Sequence, residues 1–417
     1  MGNVPKLRFP EFSGEWEKKK LKDVGNSVIG LTYSPNDISD KGYLVLRACN
    51  IKDNQLSFND QVFVNMRIPE KLTVRKGDIL ICARSGSQHL IGKNAYIEKD
   101  YPNYTFGAFM CVFRCDESAF VFQGFQTARI KRQIFENQGA RINQITTANI
   151  NAFSMYFPGI KEQTKIANFL TLFDKKIEKQ SEKVAALEEY KKGLMQKIFT
   201  REIRFKDDEG KDYPEWTNKL YGDIFCFHPT YSYSRAMLNN VGSIKYIHYG
   251  DVHTKYPIVL DVKNTQIPYL NSKSLSNDID SYSYCKEGDL IIADASEDYD
   301  AIGKATALTN IGNDKIISGL HTILARDEQK HTEPSFRGYL LASEEVKKQI
   351  RTSAAGAKVL GISKSNLAKI KISLPTLPEQ AKIASFLTLF DRKIEKEKAK
   401  LEALREQKKG LLQQMFV

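Results

Sequence analysis

The sequence predicts an α+β protein: two pseudo-repeated globular domains separated by two long antiparallel helices that pair as an intramolecular coiled coil. Three observations predict it. Residues 162–199 return at 379–416 at a constant offset of 217, without a gap, and 25 of 38 positions are identical. Within both copies apolar residues recur at heptad spacing. Outside the copies lie short apolar runs broken by turns, among them GYLVLRACNI, GDILICA, YTFGAFMCVFRC, SIKYIHYGDV, GDLIIADA and GLHTILAR, the pattern of short strands. The repeated unit is too long for a solenoid and reads as a duplicated two-part module.

Taken in chain order, residues 1–158 form a first globular domain, 159–200 a central helix, 201–375 a second globular domain and 376–417 a closing helix. Helical patterns at 121–138 and 335–352 interrupt the strands of the two domains, whose sheets are expected to be antiparallel or mixed. In the central helix one seam reads Ile166, Phe173, Gln180, Leu187, Leu194 and the other Leu170, Ile177, Val184, Lys191, Ile198. The closing helix repeats them as Ile383, Phe390, Glu397, Leu404, Leu411 and Leu387, Ile394, Leu401, Lys408, Met415. Polar residues interrupt the seam at the same places in both. No proline lies inside either copy, and Gly193 and Gly410 each cost a helix about 1 kcal/mol. Two helices with narrow apolar stripes bury them against each other, and a shared chain gives the intramolecular pair the higher effective concentration. At 1.5 Å per residue the 38-residue copy is roughly 57 Å long.

The globular domains echo one another. Glu15–Trp16 recurs as Glu215–Trp216, each soon after an Arg-Phe; Gly77–Asp78 and Gly92–Lys93 recur as Gly288–Asp289 and Gly303–Lys304. GARINQITTANI at 139–150 aligns with GAKVLGISKSNL at 356–367 at the helix offset. Elsewhere the halves barely match. A shared frame with divergent loops suits a scaffold whose halves hold different ligands. The chain path requires antiparallel pairing if the second helix is to return towards the first domain. Duplicated halves so arranged carry a pseudo-two-fold, the symmetry of a DNA duplex with two half-sites.

Composition agrees. A formal net charge of +12 favours a polyanionic partner, duplex nucleic acid first and an acidic membrane surface second. Nothing near the N-terminus resembles a signal peptide and the apolar runs are too short to span a bilayer, so a cytoplasmic protein without membrane attachment is expected. The six cysteines offer one close pair, Cys111 and Cys115, with no second pair or His-x-x-x-His, which reads as buried thiols rather than a zinc site. No phosphate-binding G-x-x-x-x-G-K-[ST], no G-x-G-x-x-G after a strand, no Asn/Asp-Pro-Pro-aromatic and no H-E-x-x-H occurs.

Candidate DNA contacts sit on loops at strand ends. Arg84 in ARSGSQHL suits bidentate contact with a guanine edge, with a surface salt bridge as the alternative; Ser85, Ser87 and Gln88 follow it. Lys93 and Lys304 share a place after glycine, as phosphate contacts or solvated lysines. Arg47 corresponds to His248, and His248, Tyr249 and Asp251 offer mixed donors and acceptors at a strand end. Tyr33, and Tyr231, Tyr233 and Arg235, lie in matching Tyr/Ser-rich loops that are also ordinary turn sequences. Glu162, Gln163, Glu379 and Gln380 open their helices and favour helix N-termini, with partner contact as the alternative.

The chain resembles the specificity subunits of type I restriction–modification systems, over nearly its whole length. The resemblance is carried most by Ile145, Pro158, Glu162, Gln163, Ile166, Ala167, Leu170, Asp174 and Ile177, matched by Ile362, Pro375, Glu379, Gln380, Ile383, Ala384, Leu387, Asp391 and Ile394. KLRFPEF with Gly14–Glu15–Trp16, GLTYSP at 30–35, and RSGS at 84–87 followed by Ile91–Gly92–Lys93 are similar to the family too. The second half departs from it, with Ala293–Asp294–Ala295–Ser296 where an Arg-Ser-Gly-type loop is expected. The resemblance implies a non-catalytic subunit with two target recognition domains, each reading one half of a bipartite, asymmetric site in double-stranded DNA. It implies helices that set the gap and bind two methyltransferase subunits, with restriction/translocase subunits joining them. The chain itself then needs no cofactor, because S-adenosylmethionine, ATP and magnesium belong to the partners. The competing readings are a coiled-coil adaptor joining two protein-binding domains, and a complete restriction or methylation enzyme in one chain.

Overall fold

The computed structural model describes residues 3–139, 143–271, 279–280, 283–356 and 358–417; part of the 139–150 and 356–367 repeat lies outside them. The chain divides into two compact units. Unit 1 comprises Met1–Glu182 with Lys398–Val417, and unit 2 comprises Lys183–Glu397. The predicted repeats are continuous helices, Ile160–Phe199 and Leu377–Met415. None of the described helices is long and apolar enough to cross a membrane.

Each unit takes one end from each helix. In unit 1, Asp174 near the start of the first helix binds Lys408 near the end of the second, and its other oxygen accepts from Gln123 Nε2 at 2.8 Å. In unit 2 the exchange is reciprocal: Asp391 binds Lys191, and Tyr339 donates its hydroxyl to Asp391 at 2.6 Å. Start meets end in both units, so the helices run antiparallel, as the chain path required. The seam residues Ile166, Leu170, Val184 and Ile198 are buried, as are Ile383, Leu387, Ile394, Leu401 and Met415, each worth about 1.5–3 kcal/mol when fully buried. The lysine interruptions are therefore ion-paired; a polar residue in such a seam fixes register at some cost in stability.

The helix ends also complete the domain cores. Phe416 lies 5.1 Å from Phe120 and 6.2 Å from Trp16, and in unit 2 Phe199 lies 5.8 Å from Phe336 and 6.1 Å from Trp216. Trp16 and Trp216 head the short strands Glu17–Lys20 and Thr217–Leu220, which pair antiparallel with Ser154–Phe157 and Lys371–Leu374 just before the long helices. Arg8 grips Glu162 with two 2.8 Å hydrogen bonds, and Arg204 grips Glu379 at 3.2 and 3.0 Å. Both glutamates are buried, so they clamp the opening segment of their domain to the helix. Neither presents a surface for a partner.

In unit 1 the main sheet runs Gly25–Ile29, Met110–Cys115, Ile79–Cys82, Asn94–Tyr96, antiparallel throughout. Unit 2 repeats it as Cys226–His228, Thr322–Arg326, Leu290–Ala293, Ala305–Thr309, with Val259–Asp261 added in parallel. A second sheet in each unit joins Tyr43–Leu46 to Tyr104–Phe106, or Ile244–Ile247 to Lys315–Ser318, in parallel. The sheets are therefore mixed. Each predicted helical stretch is split in two: Ser118–Phe125 and Ala128–Glu136, and Pro334–Ala342 and Glu344–Ser353. The breaks fall at Thr127 and Ser343, which occupy the N-cap of the second helix in each case.

Candidate nucleic-acid interface

The loops that differ most between the units stand on an equivalent backbone frame. In unit 1, Ala83 N and Arg84 N both donate to Phe109 O, at 2.9 and 3.0 Å, and Ile145 N donates to Ala83 O at 2.8 Å. Cys82 N bonds Lys93 O, and Gly92 N bonds Cys82 O, closing the loop between them. Gly92 has φ +81°, and a Cβ there would lie 2.7 Å from Ile134 Cδ1, so a glycine is required. Unit 2 repeats the frame apart from the Arg84 N bond. Asp294 N donates to His321 O at 3.1 Å, Ile362 N to Asp294 O at 2.8 Å, Ala293 N to Lys304 O at 2.8 Å, and Gly303 stands at φ +72° against Ile350. Asp294 thus occupies the place of Ala83, Ala295 that of Arg84, and His321 that of Phe109.

On this frame unit 1 displays a cation and an exposed ring. Arg84 is exposed and forms no ion pair among the described residues. Its guanidinium lies 5.2 Å from the ring centre of Phe109, itself 57% exposed. Beside it Ser87 N donates to Ser85 Oγ, Ser87 Oγ meets His89 Nδ1 at 3.0 Å, and Gln88 is exposed. These four predicted residues therefore share one loop.

In unit 2 Arg235 spans Asp251 Oδ1 at 3.1 Å and His248 Nδ1 at 3.2 Å. His248 also accepts from Gly250 N at 3.1 Å. Burial first, and Arg235 second, hold the His248 pKa below its usual value, which suits a neutral ring whose Nδ1 accepts. Tyr249 lies 4.7 Å from His248 and 5.5 Å from His321, ring to ring, and His253 Nε2 lies 2.9 Å from Ala295 O. The Tyr246 hydroxyl, 2.9 Å from Tyr231 O and accepting from Leu320 N at 3.3 Å, ties the tyrosine loop to the His321 turn.

Several predicted residues have other work. Lys93 Nζ meets Ala48 O at 3.4 Å and Lys304 Nζ meets His253 O at 2.6 Å. Both lysines thus tie down a carbonyl of the short helical segment that follows the equivalent strand, rather than standing free for phosphate. Arg47 is ion-paired with Asp60 at 2.7 Å. Asp251 is 1% exposed, held by Arg235 and Lys255; burial turns it from a base reader into the support of Arg235. Tyr33 packs against the cluster of Leu31, Val45, Val64 and Ile68, and Tyr231 and Tyr233 against that of Ile244 and Tyr246. Phe109, His253, Asp294 and His321 were not anticipated. Two signals were available: the departure of Ala293–Asp294–Ala295–Ser296 from the Arg-Ser-Gly loop, and the alignment of GAFMCVF with GLHTILA, which sets Phe109 opposite His321.

The helix starts expose a second duplicated feature. Phe9, Phe169 and Phe173 meet edge to face in succession at 5.7 and 5.3 Å, and Phe205, Phe386 and Phe390 do so at 5.5 and 5.1 Å. Next to them Leu172 and Leu389, one repeat apart, are 59% and 62% exposed.

The family of type I restriction modification DNA specificity domains matches residues 13–189 and 213–406. A putative type I restriction enzyme MjaX specificity subunit of Methanocaldococcus jannaschii is 24% identical over 436 residues, covering 98% of this chain and 95% of the relative. The EcoKI specificity subunit of Escherichia coli K12 is 29% identical over 166 residues, 37% of this chain and 35% of that one. Among solved structures, a type I S subunit from M. genitalium matches with a TM-score of 0.59 across 99% of both chains at 14% identity. A chain from a type I restriction–modification assembly matches at 0.52, over 95% of this chain and 96% of that one, at 15% identity.

Proposed function

The chain belongs to the type I restriction modification DNA specificity family, and on that premise we propose that each unit reads one half of a bipartite, asymmetric site in double-stranded DNA while the paired helices dock methyltransferase subunits. As a specificity subunit the chain is not the catalytic component of its system; it works in complexes with other subunits and DNA. The observation that carries the reading is the equivalence of the two loop frames together with the difference in what they display. Equal frames suit equal tasks, and unequal side chains suit unequal half-sites. Arg84 is the reader in unit 1, a free guanidinium with five donors in a fork that matches the two acceptors of a guanine edge. Arg235, aimed by Asp251 and His248, is its counterpart in unit 2. The exposed apolar surfaces around Leu172 and Leu389 take one methyltransferase subunit each. Restriction/translocase subunits join that complex, and S-adenosylmethionine, ATP and magnesium are bound by the partners.

The test is the assembled complex. Methylation of a bipartite site is expected only when a methyltransferase is added to the chain. In that complex Arg84→Ala should lose about 1–3 kcal/mol of discrimination at one half-site and leave the other intact. Site-specific methylation by the chain alone would overturn the assignment of catalysis to the partners. An equal loss at both half-sites, or for all sequences alike, would overturn the role of Arg84.

A further inference from the structure

We propose that Asp294 reads the exocyclic N4 amine of a cytosine in the half-site addressed by unit 2, with His321 standing beside it as a donor. The inference rests on the DNA-reading function above and adds a residue and a base to it.

Asp294 is where a reader should be. Its backbone is fixed at both ends, by His321 O and by Ile362 N, in the frame that in unit 1 carries Arg84. Its side chain keeps 30% of its exposure. Oδ1 has no hydrogen-bond partner among the described residues; the nearest cationic group, His321 Nδ1, pairs with it only loosely at 3.6 Å, too long for a hydrogen bond. A half-covered carboxylate short of donors has lost hydration without replacement, and burial accordingly raises its pKa despite His321 and Lys364 nearby. Oδ1 is closed off from solvent, so an incoming N–H would bond the other oxygen, Oδ2.

His321 supplies an independent observation. It stands at φ +58°, in the left-handed region, where a non-glycine residue is disfavoured and persists only if its surroundings hold it. The surroundings are the Tyr249 ring at 5.5 Å and the turn bonded to the Tyr246 hydroxyl. The imidazole remains 53% exposed. Strain of this kind gathers at functional sites, and here it holds a donor beside an unmet acceptor.

The base follows from the chemistry. A carboxylate only accepts. In the major groove guanine offers two acceptors and thymine an acceptor and a methyl group, so both are repelled. Adenine pairs its amine with an acceptor at N7, which a carboxylate cannot satisfy. Cytosine presents the N4 amine alone. Ala83, at the same place in unit 1, offers no side-chain acceptor, so the preference should belong to one half-site.

The experiment uses the chain assembled with its methyltransferase and a panel of duplexes varied at each position of both half-sites. Asp294→Ala should lose about 5- to 150-fold of discrimination, equivalent to 1–3 kcal/mol, at one C·G pair of one half-site. Asp294→Asn, which presents an acceptor and a donor, should move that position from cytosine towards adenine. N4-methylcytosine at that position should weaken binding of the unaltered chain and leave Asp294→Ala unaffected. The proposal is overturned if neither variant changes preference at any position, if both lose affinity for all sequences equally, or if the sensitive pair is not C·G. A complex without any bipartite preference before mutation would instead defeat the functional reading on which it stands.

Discussion

In unit 1 Arg114 reaches Asp78 at 2.8 and 3.0 Å, and in unit 2 Arg326 reaches Asp289 at 2.9 and 2.7 Å. Each aspartate also receives the amide three residues before it, Arg75 N or Lys286 N; Arg114 further donates to the Lys71 and Thr73 carbonyls, and Arg326 to that of Tyr284. A few residues along the same sheets the likeness stops, and Arg84 with Phe109 faces Asp294 with His321. Interior contacts satisfied by the chain itself have been kept in pairs. Loop residues that the chain leaves unsatisfied have diverged to opposite electrostatic character. The difference teaches where to look for specificity: on equivalent loop frames, at adjacent rather than identical positions, where charged side chains are left short of hydrogen bonds.

The shared frame is expected to break most severely at its buried ion pairs. Arg326 and Asp289 keep 6% and 0% of their side-chain exposure, against 18% and 3% for Arg114 and Asp78. Asp289→Ala should therefore cost about 3–5 kcal/mol, since it leaves a buried arginine unpaired, and Asp78→Ala should cost less, because water can reach Arg114. Denaturant unfolding of both variants measures this, and equal or reversed costs would mean that the two pairs are not ranked by burial. The smallest expected effect is the most symmetrical. Nothing lies within 4 Å of a Cβ added at Gly193 or Gly410, so alanine at either should stabilise its helix by about 1 kcal/mol. Thermal unfolding would show an upward shift of similar size for both; a downward shift at one would reveal that its helix face is already closely covered.

The helices were legible because a gap-free repeat with heptad spacing has few other physical solutions. The reciprocal pairs Lys191–Asp391 and Lys408–Asp174 were half legible: the interruptions stood out, while the aspartates that answer them lie outside the seam. The Gly-Asp and Gly-Lys echoes marked frame positions, and the aspartates proved to bind the adjacent strand. The lysines misled, since a lysine after a tight turn looks the same in sequence whether it meets a phosphate or a carbonyl. Asp251 misled for a related reason, because burial is set by how the sheet packs. Phe109 and His321 escaped notice because exposure of an apolar residue, or a left-handed φ at a histidine, belongs to the folded chain and not to its pattern of residue types.

The central claim is that two units on one frame read two half-sites independently. Its most direct test replaces residues 1–158 with the equivalent segment of a relative of different specificity, keeping the Trp16 and Phe120 positions that receive Phe416. The hybrid is assembled with its methyltransferase, and the methylated sites are sequenced. One half-site should take the relative's sequence while the other stays as it was. A change in both half-sites, or in neither, from a hybrid that folds and methylates would contradict the account.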